Sequence, residues 1–270
     1  MASASATISP EPGTVTSALA ARFASLRTDG RKALVCYVTA GHPDPAQSVD
    51  LLQGLESAGA DVIEVGVPFS DPIADGPVIQ ASSQHALSHG MTLDRTLELV
   101  SRAALDVPVV LFTYLNPLLA GGNDVLGRAR DAGVDGVLVT DLPVGADPDR
   151  ERWLGSSDLA FIRLVAPTTP IERMREIALS GSGFVYLISR LGVTGASASL
   201  ALDLTQTAAR LREATDLPVC VGFGVSEPDQ ARAAARVADG VVVGSALVKA
   251  AGNSIHEALT LARSFRQALN

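Results

Sequence analysis

The stretch Gly59-Ala-Asp-Val-Ile-Glu-Val-Gly-Val-Pro-Phe-Ser-Asp-Pro-Ile-Ala-Asp-Gly-Pro-Val-Ile-Gln80 decides how the chain folds. Asp61 to Val67 is short, β-branched and apolar at most positions, which predicts a parallel strand buried on both faces. Glu64 sits in its middle. A carboxylate there loses hydration and needs a partner or a purpose. Pro68, Pro72 and Pro77 follow, with Gly76 before the last of them. Fixed φ angles make such a loop stiff, and this one carries Asp71 and Asp75. One acid is held in a strand, and another stands on the loop that leaves the same strand end. Acid–base chemistry asks for that arrangement.

Working outward, strand-like segments begin near Ala33, Asp61, Val107, Asp135, Leu159, Gly183, Leu217 and Asp239, and a helical pattern follows each. Most intervals suit a right-handed βα unit. Those after strands 2 and 6 are longer, and extra length at such strand ends usually carries function. Ala-Gly-Ala-Asp-Val-Ile (58–63), Ala-Gly-Val-Asp-Gly-Val (132–137) and Val-Ala-Asp-Gly-Val-Val (237–242) echo one another, each with an Asp where its strand starts. Repeated units of one design favour a closed (β/α)8 TIM barrel over an open doubly wound sheet. No Gly-x-Gly-x-x-Gly follows the first strand, which counts against a dinucleotide fold. Thr16 to Thr28 predicts an extra N-terminal helix, whose Leu19, Phe23 and Leu26 would cover the barrel bottom. The reading is a disordered tail over 1–15 and one α/β barrel domain over 16–270.

The chain has 270 residues, 47% of them apolar, enough for one large core. A net charge of −8 argues against a nucleic-acid footprint. No apolar run reaches transmembrane length, and the tail lacks the basic and apolar regions of a secretory signal. The expectation is a cytoplasmic protein bound to neither nucleic acid nor membrane. Cys36 and Cys220 fall inside predicted strands and read as buried reduced thiols.

Strand 7 ends in Val221-Gly222-Phe223-Gly224, and strand 8 in Val243-Gly244-Ser245 before a short helical segment. Phosphate sites in these barrels lie on the loops after strands 7 and 8, at the N-terminus of a short helix. Glycine lets the backbone approach, and helix-end amides favour an anion. Gly222, Gly224, Gly244 and Ser245 are therefore candidate phosphate residues. Lys32 and Lys249 are the only lysines, and neither lies within an inner strand face where a Schiff-base amine would stand. His42, His85, His89 and His256 are scattered, so no metal site is expected; His85 and His89, four apart, are read as surface residues. Tyr37 either lines a pocket or simply packs. Thr168 or Thr169 would cap the helix after strand 5.

The run Glu-Val-Gly-Val-Pro-Phe-Ser-Asp-Pro-Ile-Ala-Asp-Gly-Pro (64–77) resembles the signature of the tryptophan synthase alpha chain family. The likeness extends from about Leu19 to the C-terminus, through Asn116-Pro117, Ala166-Pro167-Thr168-Thr169-Pro170 and Gly192-Val-Thr194-Gly195. The chain departs from the family pattern at Thr140, Val144 and Ser197. The resemblance implies a lyase that splits indole-3-glycerol phosphate into indole and glyceraldehyde 3-phosphate in tryptophan biosynthesis. It implies Glu64 as the proton shuttle and Asp75 as the partner of the indole N–H. Tyr186 would stand near Glu64. Arg190–Ser199 would form a lid, with Thr194 meeting Asp75 and Gly195 meeting phosphate. No cofactor is expected in this chain. Pyridoxal phosphate would belong to a beta chain, bound as an alpha2beta2 heterotetramer. The residues also leave open a phosphosugar isomerase or epimerase, a non-catalytic regulator of a beta partner and, given the departures at Thr140, Val144 and Ser197, a free-standing indole-releasing lyase.

Overall fold

The structure is a computed structural model and describes residues 17–189, 198–222 and 224–270. Eight parallel strands close into a barrel in sequence order. They are β1 (Ala33–Thr39), β2 (Val62–Gly66), β3 (Val109–Thr113), β4 (Gly136–Val139), β5 (Ala160–Val165), β6 (Val185–Ile188), β7 (Val219–Gly222) and β8 (Gly240–Val243). β1 pairs with β2 and with β8, so no edge is left open. The helices are α1 (Ala18–Thr28), α2 (Ser48–Ser57), α3 (Pro77–Ser88), α4 (Leu93–Ala103), α5 (Leu115–Ala120) and α6 (Val125–Asp131). Then come α7 (Pro148–Gly155), α8 (Ile171–Leu179), α9 (Ala198–Ala214), α10 (Pro228–Ala235), α11 (Ser245–Asn253) and α12 (Ile255–Ala268). Each strand starts within two residues of its expected position.

Period-two alternation sorts the strand residues into two buried clusters. Leu34, Cys36, Ile63, Val65, Val109 and Leu111 face outward against the helices. Val35, Tyr37, Val62, Val110, Phe112 and Tyr186 fill the barrel. Cys36 therefore packs outside the barrel wall and Cys220 inside it; both are free thiols. The helix α1 closes the bottom: Leu19, Phe23 and Leu26 join the interior cluster, and Phe23 meets Phe184 at 5.6 Å between ring centroids. It begins at Ala18 rather than Thr16, because the Ser17 side chain accepts the Ala20 N–H and sets the first turn.

The repeated aspartates have a common task. Asp61 accepts from the Leu34 N–H, Asp135 from Val109 and Asp239 from Val219, each at 2.9 Å. Each carboxylate thus caps the first free amide of a neighbouring strand at the barrel bottom, where the ladder gives that amide no partner. Ser182 does the same for Phe161. The echo in the sequence is a repeated solution to strand starts, set at the end opposite the chemistry.

Neither Thr168 nor Thr169 caps α8. Its N-cap is Pro170, and the Thr169 hydroxyl instead accepts from the Ala166 N–H at 3.2 Å, closing the turn before it. The expected tail over 1–15 and residues 190–197 of the expected lid lie outside the described residues, and Ala198 and Ser199, the last two of that stretch, begin α9.

Candidate active site

At the C-terminal ends of the strands is a cavity of about 200 Å³. Glu64 and Asp75 both line it, and so do Tyr37, Phe112, Tyr186, Gly224, Gly244 and Ser245. Acids from β2 and its loop share this space with the loops after β7 and β8. At the opposite end, α1 packs Leu19, Phe23 and Leu26 against the barrel interior.

Glu64 occupies an inward position of β2, in register with Tyr37 on β1 and Val110 on β3. It is fully buried, and neither carboxylate oxygen has a hydrogen-bond partner among the described residues. Burial disfavours the charged form and pushes its pKa up to about 8. A buried polar group without a partner is costly to keep. Here it is aimed into a cavity rather than into a packed core, which suits a group that trades protons with a substrate.

Asp75 is held by the loop that the prolines stiffen. Its N–H donates to the Pro72 carbonyl at 3.1 Å, and its own carbonyl accepts from the Gln80 side chain at 2.9 Å. Pro77 stands at the first turn of α3, where its missing N–H costs nothing. Partial burial raises the Asp75 pKa, while a hydrogen bond from Tyr114 works against that rise. The loop separates its two acids: Asp71 is exposed and takes the Ser70 hydroxyl at 2.5 Å, so Asp75 alone reaches the cavity.

The two tyrosines of the cavity each lie across a glycine of the next strand. An ideal Cβ on Gly66 would stand 2.2 Å from the Tyr37 hydroxyl. One on Gly222 would stand 2.1 Å from that of Tyr186. Gly222 is not among the lining residues; its missing side chain makes room for Tyr186. Tyr37 lines the pocket, with its ring edge against Phe112 at 5.1 Å between centroids.

Gly224 has φ +81°, a conformation that favours glycine. Gly244 is the N-cap of α11, with no side-chain cap bond, so the first-turn amides of that helix open onto the cavity wall. Such a terminus favours an anion. Thr194 and Gly195 lie outside the described residues. The cavity also uses Ile79, Val225, Ser226 and Val242, which sequence reasoning did not single out. Tyr114 was likewise passed over as a functional residue. An aromatic with a polar tip, placed just past a strand's C-terminal end, was the available signal.

The family profile of the tryptophan synthase alpha chain matches residues 23–269. The chain belongs to that family. A tryptophan synthase alpha chain of Laribacter hongkongensis is 48% identical over 257 residues, spanning 92% of this chain and 97% of that one. The alpha chain of Citrifermentans bemidjiense is 51% identical over 231 residues, 84% of this chain and 86% of its own length. Among solved structures, tryptophan synthase subunit alpha from Legionella pneumophila superimposes with a TM-score of 0.84 at 34% identity, covering 94% of this chain and 98% of the other. A chain of tryptophan synthase from M. tuberculosis, in an aminoacrylate-bound form, gives 0.85 at 33% identity, with 94% and 100% covered. Like the tryptophan synthase alpha family, the chain is a carbon–carbon lyase of tryptophan biosynthesis that cleaves indole-3-glycerol phosphate to indole and glyceraldehyde 3-phosphate.

Among the described residues, no cluster of three or more His, Cys, Asp or Glu could hold a metal ion. His85 and His89 are exposed, their rings tilted by 40° with centroids 4.4 Å apart. No described helix is long and apolar enough to cross a membrane.

Proposed function

We propose that Glu64 and Asp75 carry the cleavage. The observation behind this reading is a fully buried Glu64, with both oxygens unpartnered, facing the same cavity as Asp75. With a pKa near 8, Glu64 is mostly protonated at neutral pH and begins as an acid. It gives its proton to the indole C3, which leaves the ring as an indoleninium cation. Asp75, ionised, accepts a hydrogen bond from the ring N–H and offsets that positive charge. The Glu64 carboxylate then takes the proton of the glycerol hydroxyl next to C3. As that O–H becomes C=O, the C–C bond breaks and its electron pair restores the indole ring. Glu64 ends protonated, as it began, and indole and an aldehyde leave. No outside reductant or metal enters the balance.

The phosphate of the substrate would lie against Gly224, Gly244 and Ser245, with the α11 amides as donors. Gly195 would contribute from the lid, and Thr194 would orient Asp75 when the lid closes. Phe112, Ile79 and Val242 offer apolar walls for the indole ring, with Tyr186 near Glu64. Gly222 serves by accommodating Tyr186 rather than by meeting phosphate. The indole passes to a beta chain that holds pyridoxal phosphate, in an alpha2beta2 heterotetramer in the cytoplasm. Ile73, 85% exposed on the Asp75 loop, offers that partner an apolar contact beside the site.

The deciding assay is indole release from indole-3-glycerol phosphate by the pure chain and by Glu64→Gln, with and without a beta chain. The proton shuttle requires the variant to lose at least ~10²-fold in turnover while still binding substrate.

A further inference from the structure

Tyr114 follows β3 directly and has an extended backbone, φ −98° and ψ 164°. The next residue, Leu115, donates its N–H to the Asp141 carboxylate at 2.7 Å, which fixes the junction between β3 and α5. The Tyr114 side chain is 3% exposed, and its ring meets Phe69 at 5.1 Å between centroids. A buried ring with a pinned backbone has little freedom to swing.

Its hydroxyl makes two bonds to the neighbouring loop. The Ala74 N–H lies 2.9 Å away and Asp75 Oδ2 lies 3.0 Å away. The direction of each bond is forced. A backbone N–H can only donate, so the phenol oxygen accepts from Ala74. An ionised Asp75 can only accept, so the phenol's one proton goes to Oδ2, and the Thr140 side chain makes a further hydrogen bond to the phenol. One hydroxyl thus ties the loop backbone and the acid side chain to β3. Tyr114 itself does not line the cavity.

We propose that Tyr114 is a positioning residue for the cleavage: it commits Asp75 Oδ2 and so presents Oδ1 to the donor group of the substrate. The proposal rests on the assignment of Asp75 above and deepens it. A carboxylate free to rotate could offer either oxygen in several directions. With Oδ2 bound and the loop backbone tied at Ala74, one orientation remains, and it is set before substrate arrives. The donated proton also stabilises the charged form of Asp75, the form that offsets a cation. Among the described residues, the titratable groups around Asp75 are Tyr114 just after β3, with Tyr37 from β1 and Glu64 from β2 sharing the cavity. Of these, Tyr114 is the one in hydrogen-bond contact with it.

The test is Tyr114→Phe, which keeps the buried ring and removes only the hydroxyl. Turnover should fall by about 10- to 100-fold, the scale of a misplaced catalytic group. KM should stay within about 3-fold, because the substrate's phosphate and ring contacts are untouched. In carbon-13 NMR of aspartate-labelled protein, the Asp75 carboxyl should titrate at higher pH in the variant than in wild type. A structural role alone would lower stability without moving that titration. Unchanged turnover, or an Asp75 titration that does not move, overturns the proposal. Asp75→Asn runs alongside: full activity there would instead reject Asp75 as the charged partner.

Discussion

Tyr186 on β6 and Gly222 on β7 share one space: the tyrosine hydroxyl fills the position where a Cβ of residue 222 would be, 2.1 Å away. The ring cannot move far without entering the cavity that both acids line.

Gly222→Ala should therefore act through Tyr186. The new methyl meets the ring at 2.1 to 2.8 Å, closer than atoms can stand. Either the ring moves into the cavity or the strands part. Overpacking of this kind costs about 1–3 kcal/mol. Thermal unfolding should show the loss, and KM for indole-3-glycerol phosphate should rise as the cavity narrows. Wild-type stability and KM together would mean that Tyr186 has another place to go.

Glu64→Gln separates stability from activity. Burial on folding raises the Glu64 pKa from its ordinary carboxylate value to about 8, so the native state binds a proton more tightly than the unfolded chain does. The protonated carboxyl favours folding below the unfolded value. That contribution is lost as pH rises toward and through 8. Glutamine has no such dependence. The melting temperature of Glu64→Gln should rise relative to wild type between pH 5 and 8, then level off. The same pKa sets the activity profile: turnover should decline on the alkaline side near pH 8, where the acid loses its proton. A gap in melting temperature that is flat across this range would place the Glu64 titration elsewhere.

Asp61 lies three residues before Glu64, just ahead of the first residue of β2 at the barrel bottom. It is 1% exposed, pairs with Arg266 at 2.7 Å and Arg22 at 2.8 Å, and accepts the Leu34 N–H. Asp61→Ala would leave the largely buried Arg266 without its anion and Leu34 without its acceptor. Breaking a buried pair from one side costs about 3–5 kcal/mol. Urea unfolding should shift by that order, while turnover per folded molecule stays near wild type. A large loss of turnover in folded protein would mean that the bottom of the barrel influences the chemistry.

These residues also show what the sequence could reveal. Glu64 was legible because a lone carboxylate in an apolar strand has few innocent explanations. The barrel was legible because helix and strand periods alternate along the whole chain. Tyr114 was not, since its bond to Asp75 joins loops from two strands and leaves no local pattern. Gly222 misled for a related reason. A glycine that admits an anion and one that admits a ring look alike in sequence. Thr169 could equally cap a helix or close a turn, and the Ala166 amide takes it.

The proposed phosphate cup can be tested by adding volume in steps. A Cβ on Gly244 would meet Tyr37 at 3.5 Å, an ordinary contact, so Gly244→Ala should fold normally. Valine adds two branched carbons at the N-cap of α11, in front of the amides that would hold phosphate. Gly244→Val should fold, yet bind glycerol phosphate about 10-fold more weakly, the effect of losing one or two charge-assisted hydrogen bonds. Gly224 provides the contrast. Its φ of +81° makes Gly224→Ala strained whatever the space, at about 1–2 kcal/mol. Titration calorimetry with glycerol phosphate reads the first effect, and thermal unfolding reads the second. If Gly244→Val is folded and binds glycerol phosphate as wild type does, the anion lies away from α11.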